Sequence, residues 1–488
     1  MVVADDEGDE VVTPITGEGH RNEADGPAGR PVRRPRQVTS LAGFDDPPPP
    51  LHALVRSWPW AGWLVAAVVA LRLVAVAGMR LYLYVDSAEY DRIDFSGDWR
   101  RPWATPCLYW LIPGRARGLV VGQALVGAVC WAALALSAAA WFRFRTSRIV
   151  VAAVLAGLGC TTIVTNWDAA KLSESLGLSL TVLVIASWLN LIRRTEVGTA
   201  LFVALATLPW LFVRQSLIPT AWLVVGLAAL VAAITWRRRG SEGLAVRVLA
   251  ALCLVLAAET AVATVTYSHN QEIVQENLRV IISNRVASDP ARLVWFTDHG
   301  MPAPASGRFD PETLRSDPAF STWVAHEGPS TYLRYLLTHP WYTATAPLDD
   351  FTDVQRSTAD AVEPAAAMLS PPDRYAASRP VIPSVVEDVI FGAGDTGTVI
   401  FLLVLVGGWT LARIRRRSAR WAIPWALVGL AITSLYTGWH GATPELGRLA
   451  LLGAVTLRIG LYLQLAVLIE DEVVGRRRPV VGDVPVTP

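Results

Sequence analysis

The sequence predicts an all-α polytopic membrane protein, with about ten transmembrane helices and one external, mainly helical segment of about 125 residues. Two observations lead to this fold class. Hydrophobic residues make up 52% of the 488 residues, and they are gathered into long stretches with few charges. A stretch of about 18 or more apolar residues is long enough to cross a bilayer core about 30 Å thick. The formal net charge of +1 gives no reason to expect a nucleic-acid partner.

A polar tail over residues 1–57 precedes the first apolar stretch. It is rich in acidic residues at first, then basic around residues 33–36, and it ends in four consecutive prolines at 47–50. Such a composition does not bury enough apolar surface to fold, so we predict a disordered tail. The tail is also too long and too acidic to be the first region of a cleavable signal peptide.

The apolar stretches divide into ten predicted spans. Residues 199–236 would form a helix of roughly 57 Å, about twice the bilayer core, so we expect a break near Arg214, which two prolines flank. Residues 149–192 are interrupted by the polar stretch 166–175. The predicted spans are residues 61–79, 118–141, 149–165, 175–192, 199–213, 216–235, 246–267, 397–412, 421–438 and 449–469.

Arginine clusters predict the orientation, because positively charged connections remain on the cytoplasmic side. The clusters occur in both tails and at every second connection, as ten spans with two cytoplasmic termini require. They lie at residues 33–36, 143–148, 193–194, 237–239, 413–420 and 476–478. We therefore predict a multi-pass protein of the cell (plasma) membrane with both termini in the cytoplasm.

This orientation divides the chain into five regions. They are the tail 1–57, seven spans over 58–267 with an outer loop at 84–113, an external segment over 268–395, three spans over 396–470, and a cytoplasmic tail over 471–488. The external segment contains helix-like stretches at 271–282 and 331–338. By its length it is either a small domain or a set of short helices that cap the bundle.

The outer loop after the first span contains the leading candidate for a catalytic residue. Ionisable groups at the edge of a bilayer cost free energy to place, so they indicate function by default. Asp86 lies just beyond the span, where a carboxylate could accept a proton as a general base. The alternative is a solvated carboxylate, or an N-cap for a helix that starts near Ser87. Glu89 and Tyr90 would share a helix face with Asp86.

Basic residues near the outer loops are candidates for phosphate binding. Arg100 and Arg101 begin a stretch of basic, proline and aromatic residues that is either an interfacial segment or a simple turn. Asp168, Lys171 and Glu174 are spaced i, i+3, i+6, which on a helix brings neighbours within salt-bridge reach. They form either a structural ion pair or an anion site in which Lys171, the sole lysine of the chain, neutralises phosphate.

Two further outer turns contain charged residues. Arg214 either extends to the membrane interface or binds phosphate. His440, Glu445 and Arg448 form a polar loop before the last span, and Arg458 lies deeper, where it needs a partner or a hydrated cavity. No histidine or cysteine grouping has metal-ligand spacing, and the four cysteines predict no disulfide framework.

The outer loop resembles a motif of the GT-C superfamily of membrane glycosyltransferases, which includes protein O-mannosyltransferases and lipid A aminoarabinose transferases. Asp86-Ser87-x-x-Tyr90 looks like the catalytic-aspartate loop of that superfamily. Arg101-Pro102 looks like its basic, proline-containing continuation. Asp86 departs from the mannosyltransferase pattern, because no second acidic residue follows it directly.

Three later stretches extend the resemblance over most of residues 58–470. Residues 171–180 are similar to the Thr/Ser-Glu-Ser/Thr-Leu stretch that opens the fourth span of GT-C proteins. Arg214 stands where many members have an Arg-Pro pair, although Gln215 replaces the proline. Glu445-x-x-Arg448 looks like a motif near the last span of actinobacterial members.

The resemblance implies an inverting hexosyl or pentosyl transferase. The donor would be a sugar on a polyprenyl phosphate, and the acceptor an extracytoplasmic hydroxyl on a cell-wall glycan, a glycolipid or a protein. Asp86 would take the acceptor proton, while Lys171, Arg214, Arg448 and Arg101 would stabilise the lipid phosphate. Residues with supporting roles would be Glu89, Tyr90, Asp168, Glu174, His440 and Glu445. No cofactor is implied besides the lipid-linked donor, and a metal requirement stays open.

Two other classes of protein fit parts of the sequence. A transporter or flippase for lipids or glycolipids would also have charges near the outer span ends, although transporters usually have midplane sites and repeated halves. A scaffold or receptor would bind a partner through the external segment. The enzyme differs from both in requiring Asp86, Lys171 and Arg214 to face one outer cavity within about 10–15 Å.

Overall fold

The computed structural model is all-helical in the part of the chain that it describes, which confirms the predicted all-α class. The described residues are 49–97, 99, 101–112, 116–239, 243–268, 271–304, 309–351, 377–389, 396–413, 419–441 and 446–477. Most of the predicted tail 1–57, residues 478–488 and the middle of the external segment therefore lie outside the description. Within the described ranges, β-type pairing is limited to an isolated parallel bridge between Tyr82 and Ala170.

The α-helices are numbered in chain order. They are α1 (Leu51–Arg56), α2 (Pro59–Ala75), α3 (Ala104–Leu111), α4 (Ala116–Ala139), α5 (Arg145–Gly159), α6 (Thr162–Thr165), α7 (Glu174–Arg193), α8 (Val197–Leu211), α9 (Ile218–Arg239), α10 (Leu244–Ser268), α11 (Gln271–Ile281), α12 (Pro290–Asp298), α13 (Pro311–Ser316), α14 (Pro318–His326), α15 (Gly328–Thr338), α16 (Pro340–Asp349), α17 (Ser384–Glu387), α18 (Thr396–Ala412), α19 (Ala422–Gly441) and α20 (Leu446–Arg477). Both predicted breaks are present, since α8 ends before Arg214 and α7 begins at Glu174.

Six helices are long and apolar enough to cross a membrane: α4, α7, α9, α10, α19 and α20. A seventh span results if α5 and the residues Thr162–Ala169, which are bent by 47° relative to it, cross together. Three shorter apolar helices, within α2, α8 and α18, lie at three of the remaining predicted spans. The chain thus has the helices of a membrane protein, and the count of ten spans stays a prediction.

A buried ion pair joins α2 to the bend before α7. The guanidinium of Arg72 donates to Oδ2 of Asp168 at 2.5 Å, and neither side chain is more than 1% exposed. Arg72 also donates to the carbonyl oxygens of Ala124 and Gly159, while Ser175 donates to the second carboxylate oxygen of Asp168 at 2.6 Å. Because each charged group has several partners, the pair holds α2, α4, α5 and α7 together.

Replacing Gly127 with alanine is expected to destabilise the protein. A Cβ at this position would overlap the guanidinium of Arg72, which its bonds to Asp168 prevent from moving aside. Overpacking of this kind costs typically about 1–3 kcal/mol. The midpoint of thermal unfolding in detergent measures the effect.

Gly226 provides the matched control for this prediction. It is also a helical glycine, but a Cβ there would meet nothing within 4 Å. Alanine at Gly226 is therefore expected to leave the midpoint unchanged, or to raise stability by about 0.5–1 kcal/mol through the unfolded chain. Equal midpoints for the two variants would contradict the packing of Arg72 against α4.

The described parts of the external segment contain a small apolar core of their own. Phe296, Leu314 and Phe320 are fully buried in it. Two of its helices, α11 and α15, confirm the helices predicted at 271–282 and 331–338. Helices α12, α13 and α14 each begin with an N-cap aspartate and a proline at the first helical position. The aspartate accepts hydrogen bonds from free backbone N–H groups, and proline has the backbone angle that a helix start requires.

The external segment is attached to the end of α19. The guanidinium of Arg285 lies 3.7 Å from the centre of the Trp439 ring, and the indole N–H of Trp439 donates to Asp350 at 2.9 Å. The hydroxyl of Tyr332 donates to the carbonyl oxygen of His440 at 3.3 Å. His440 therefore belongs to the junction between the bundle and the external segment.

Candidate functional site

The loop after α2 is fixed to the chain just before α7. Residues Val85–Asp91 form a short 3₁₀-helix. The hydroxyl of Ser87 donates to the carbonyl oxygen of Lys171 at 3.0 Å. Just before the loop, the backbone N–H of Tyr82 donates to Ala169, and that of Lys171 donates back to Tyr82. These bonds place the carboxylates of the loop beside the start of α7.

Six charged side chains from five parts of the sequence meet at this end of the bundle. We call them the charge network, which comprises, in order of contact, Glu89, Arg101, Asp86, Arg448, Glu174 and Arg214. Three carboxylates alternate with three guanidinium groups, so the six charges balance. All six were candidate site residues from the sequence, and the structure brings them together.

The outer half of the charge network is centred on Arg101. Its guanidinium contacts Oδ2 of Asp86 at 2.7 Å and Oε2 of Glu89 at 2.5 Å. Both carboxylates reach it because residues three apart in a 3₁₀-helix lie one above the other. The guanidinium also lies 5.3 Å from the centre of the Tyr90 ring. Burial alone would lower the pKa of Arg101, but the neighbouring Tyr90, Asp86 and Glu89 raise it, so the guanidinium stays charged.

The inner half of the charge network is buried. Arg448 lies 3.4 Å from Oδ2 of Asp86 and also pairs with Oε1 of Glu174. Arg214 approaches the same Oε1 at 3.4 Å. Glu174 is 0% exposed and both arginines are 7% exposed, whereas Asp86 is 28% exposed. Oε2 of Glu174 has no hydrogen-bond partner among the described residues. The network therefore runs from the protein surface into the interior.

The helices and the turn that carry the inner half of the charge network pack closely against one another. A Cβ added to Gly177, one turn into α7, would lie 3.3 Å from Val213 and 3.7–3.8 Å from Arg214 and Leu452, so these side chains pack against the start of α7. The backbone N–H of Ala104 donates to the carbonyl oxygen of Phe212 at 3.2 Å. The turn before α9 therefore contacts α3 as well as α7 and α20.

Tyr109 of α3 ties the outer loop to the start of α7. Its hydroxyl donates to the carbonyl oxygen of Leu172 at 2.7 Å. Burial raises the pKa of Tyr109 well above its usual value, and the neighbouring Tyr90 and Glu174 add to this effect, so the hydroxyl remains a proton donor. The sequence has no signal that marks Tyr109 as functional, because an aromatic residue near a membrane interface has many structural explanations.

The predicted pairing within the segment 168–174 is wrong. Asp168, Lys171 and Glu174 do not pair with one another, because the residues between them form a 3₁₀ turn and a loop instead of one continuous helix. Asp168 pairs with Arg72 in the bundle interior, and Lys171 pairs with Asp91 of the outer loop. The isolated arginine in the apolar span α2 is a signal that could have predicted such a partner.

The remaining candidates lie elsewhere. Asp168 and His440 have structural partners outside the charge network, since a ring nitrogen of His440 lies 3.1 Å from the carbonyl oxygen of Thr343. Glu445 and Arg100 lie outside the described residues. Lys171 is attached to the outer loop, while the single cavity expected for Asp86, Lys171 and Arg214 stays a prediction.

An apolar cavity of about 390 Å³ lies between α7, α8, α9, α19 and α20. Its lining includes Leu217, just before α9, and residues of α9 as far as Ile234, which at the α-helical rise is a distance of about 26 Å. Its lining is aliphatic and aromatic, with hydroxyl groups but no charged side chain. Leu452, at the Leu217 end, lies beside Gly177 together with Arg214. The cavity therefore ends next to the inner half of the charge network.

A scan against models of protein families finds no match, and a search of curated protein sequences also finds none.

Proposed function

We propose that this protein is a membrane glycosyltransferase of the GT-C type, which moves a hexosyl or pentosyl group from a polyprenyl phosphate to an extracytoplasmic acceptor hydroxyl. The observation that carries the proposal is the position of the apolar cavity, which ends beside a network of carboxylates and arginines. A lipid-linked donor needs an apolar channel for its chain and cations for its phosphate. The cavity and the charge network provide these two requirements next to each other.

The arrangement of Asp86 suits the role of general base. Its Oδ2 pairs with Arg101 and Arg448, and 28% of its side chain is exposed, so an acceptor hydroxyl could approach the carboxylate. In the proposed reaction, an acceptor hydroxyl gives its proton to Asp86 as its oxygen attacks the anomeric carbon. The bond from that carbon to the phosphate oxygen breaks, the electron pair stays on the phosphate, and the configuration inverts. Arg448 and Arg214 stabilise the charge that develops there.

The proposed placement in the membrane follows the arginine clusters. Ten spans cross the plasma membrane, both termini are cytoplasmic, and the charge network lies at the outer face. The short helices α2, α8 and α18 support this count because each occupies a predicted span. In this arrangement the external segment covers the site and helps to select the glycan, lipid or protein acceptor.

A lipid or glycolipid flippase is the second candidate. The length of the cavity favours it, because a channel of about 26 Å along α9 would also accommodate a lipid during transfer between leaflets. The two functions differ in their product. The enzyme forms a glycosylated acceptor, whereas the flippase moves the lipid and leaves the sugar attached.

Filling the cavity tests the proposal. Ala228→Trp places an indole in the cavity lining and is expected to block binding of the lipid chain, which should reduce sugar transfer at least tenfold, a loss of about 1.4 kcal/mol of binding. The measurement uses purified protein in liposomes, with radiolabelled polyprenyl-phosphate sugars and a panel of acceptors.

Ala229→Trp is the matched control, because Ala229 is the next residue of the same helix and is exposed instead of lining the cavity. It should transfer sugar at the wild-type rate. Equal rates for the two variants would contradict the role of the cavity. Rapid transbilayer movement of the donor without any glycosylated product would favour the flippase.

A further inference from the structure

The consecutive helices α15 and α16 of the external segment each expose large apolar side chains. We call them together the α15–α16 surface, and it consists of Leu333, Leu337, Trp341 and Leu348, which are 57%, 72%, 79% and 57% exposed. Leu333 and Leu337 are four residues apart, so they lie on one face of α15. Trp341 and Leu348 are seven apart and lie on one face of α16. Large apolar side chains gathered in this way indicate an interaction surface.

The other side of the two helices is already packed. Tyr332 and Tyr335 of α15 are buried in the core of the external segment. The ring of Tyr342 lies 6.1 Å from that of Trp439, at the end of α19. The exposed leucines and Trp341 therefore face away from the described protein, and their partner must come from outside it.

A hydrogen bond shows the depth at which α16 lies relative to the bundle. The hydroxyl of Tyr436 in α19 donates to the carbonyl oxygen of Ala344 in α16 at 2.7 Å. Tyr436 lies five residues before the end of α19 at Gly441, which is about 7.5 Å along the axis. Helix α16 thus lies beside the last turns of a candidate span, not beyond them.

The same contact is on an exposed, apolar side of α19. Ile432 is one turn before Tyr436 on the same helix face, and it is 41% exposed. If α19 crosses the membrane, an apolar side chain exposed in its second half is expected to face lipid. Since Ala344 lies between Trp341 and Leu348 along α16, the α15–α16 surface adjoins this exposed side.

We propose that the α15–α16 surface is inserted in the adjoining leaflet, at the boundary between lipid headgroups and acyl chains. Tryptophan favours this depth because its ring is apolar and its N–H is polar. Leucines on one face of a helix would enter the acyl region, as in interfacial amphipathic helices. Arg334, which is exposed beside Leu333 and Leu337, would reach lipid phosphates. The partner is a lipid surface, and the inference does not depend on the sugar chemistry.

Fluorescent labels on the full chain test this insertion. Cysteine is introduced at Leu337, or in a second variant at Leu333, and coupled to an environment-sensitive nitrobenzoxadiazole dye. The protein is placed in nanodiscs of phosphatidylcholine and phosphatidylglycerol. The wild-type chain, which has four native cysteines, serves as the labelling blank. Glu312→Cys is the control for a label that is exposed to water, because Glu312 is an exposed charged residue of the same segment.

Labels at 337 and 333 should emit at shorter wavelength than the label at 312. They should be quenched more by lipids with a nitroxide near the headgroup than by iodide in the buffer. The label at 312 should show the opposite preference. The proposal would be overturned if iodide quenched the labels at 337 and 333 as strongly as the label at 312. The α15–α16 surface would then be a binding site for a protein partner.

Discussion

Asp86→Asn is expected to reduce the rate of sugar transfer by about 10²–10⁴-fold, the usual contribution of a general base. Asparagine keeps the size of the side chain but does not accept the proton of the acceptor hydroxyl. The variant should still fold, because each arginine that pairs with Asp86 keeps another carboxylate. Arg101 still pairs with Glu89, and Arg448 still pairs with Glu174. Initial rates with saturating donor, measured together with the midpoint of thermal unfolding, separate the two effects.

Asp94→Asn is the control for Asp86. Asp94 is in the same loop, but its contacts are local, since it accepts hydrogen bonds from the backbone and the hydroxyl of Ser96. Sugar transfer by this variant should match the wild type. Wild-type transfer by Asp86→Asn would rule out Asp86 as the base, and the proposed mechanism would then need another proton acceptor.

Asp168→Asn is expected to have the largest effect on stability. It removes the anion that pairs with Arg72 where both side chains are fully buried, and it leaves an uncompensated guanidinium inside the bundle. Breaking a buried pair from one side costs about 3–5 kcal/mol. Unfolding midpoints and the yield of monodisperse protein in detergent provide the measurement.

Two comparisons make the prediction for Asp168 specific. Asp91→Asn removes the partner of Lys171, but Asp91 is 69% exposed, so the cost should be at most about 1 kcal/mol. Replacing Arg72 and Asp168 together with leucine should be less damaging than Asp168→Asn alone, because no unpaired charge remains. A double variant that is less stable than the single one would show that the pair itself is strongly stabilising.

The local features of this fold are predictable from the sequence, because they depend on neighbouring residues. The break near Arg214 follows from the length of an apolar run, and the start of α7 at Glu174 follows from the polar residues before it. Long apolar helices are predictable for the same reason. The exact span count is harder, because α2, α8 and α18 are shorter than the bilayer core requires.

The partners of the charged residues are not predictable from local pattern. Asp168 is 96 residues from Arg72, and Glu174 is 274 residues from Arg448. Sequence spacing predicted instead that Asp168 and Glu174 would both pair with Lys171, which requires a continuous helix that the chain does not form. The apolar cavity has no sequence motif, because its aliphatic, aromatic and hydroxyl side chains are of types that occur throughout apolar helices.

The contact between Asp86 and Arg448 has a consequence for biosynthesis. The two residues are 362 positions apart, so Asp86 is synthesised long before Arg448. At typical synthesis rates of about 5–20 residues per second, the interval is on the order of tens of seconds. During this time Asp86 has Arg101 as its guanidinium partner, and Glu174 has Arg214. Helix α20 therefore completes the charge network, and a chain truncated before α20 would lack the Arg448 partner of Asp86 and Glu174.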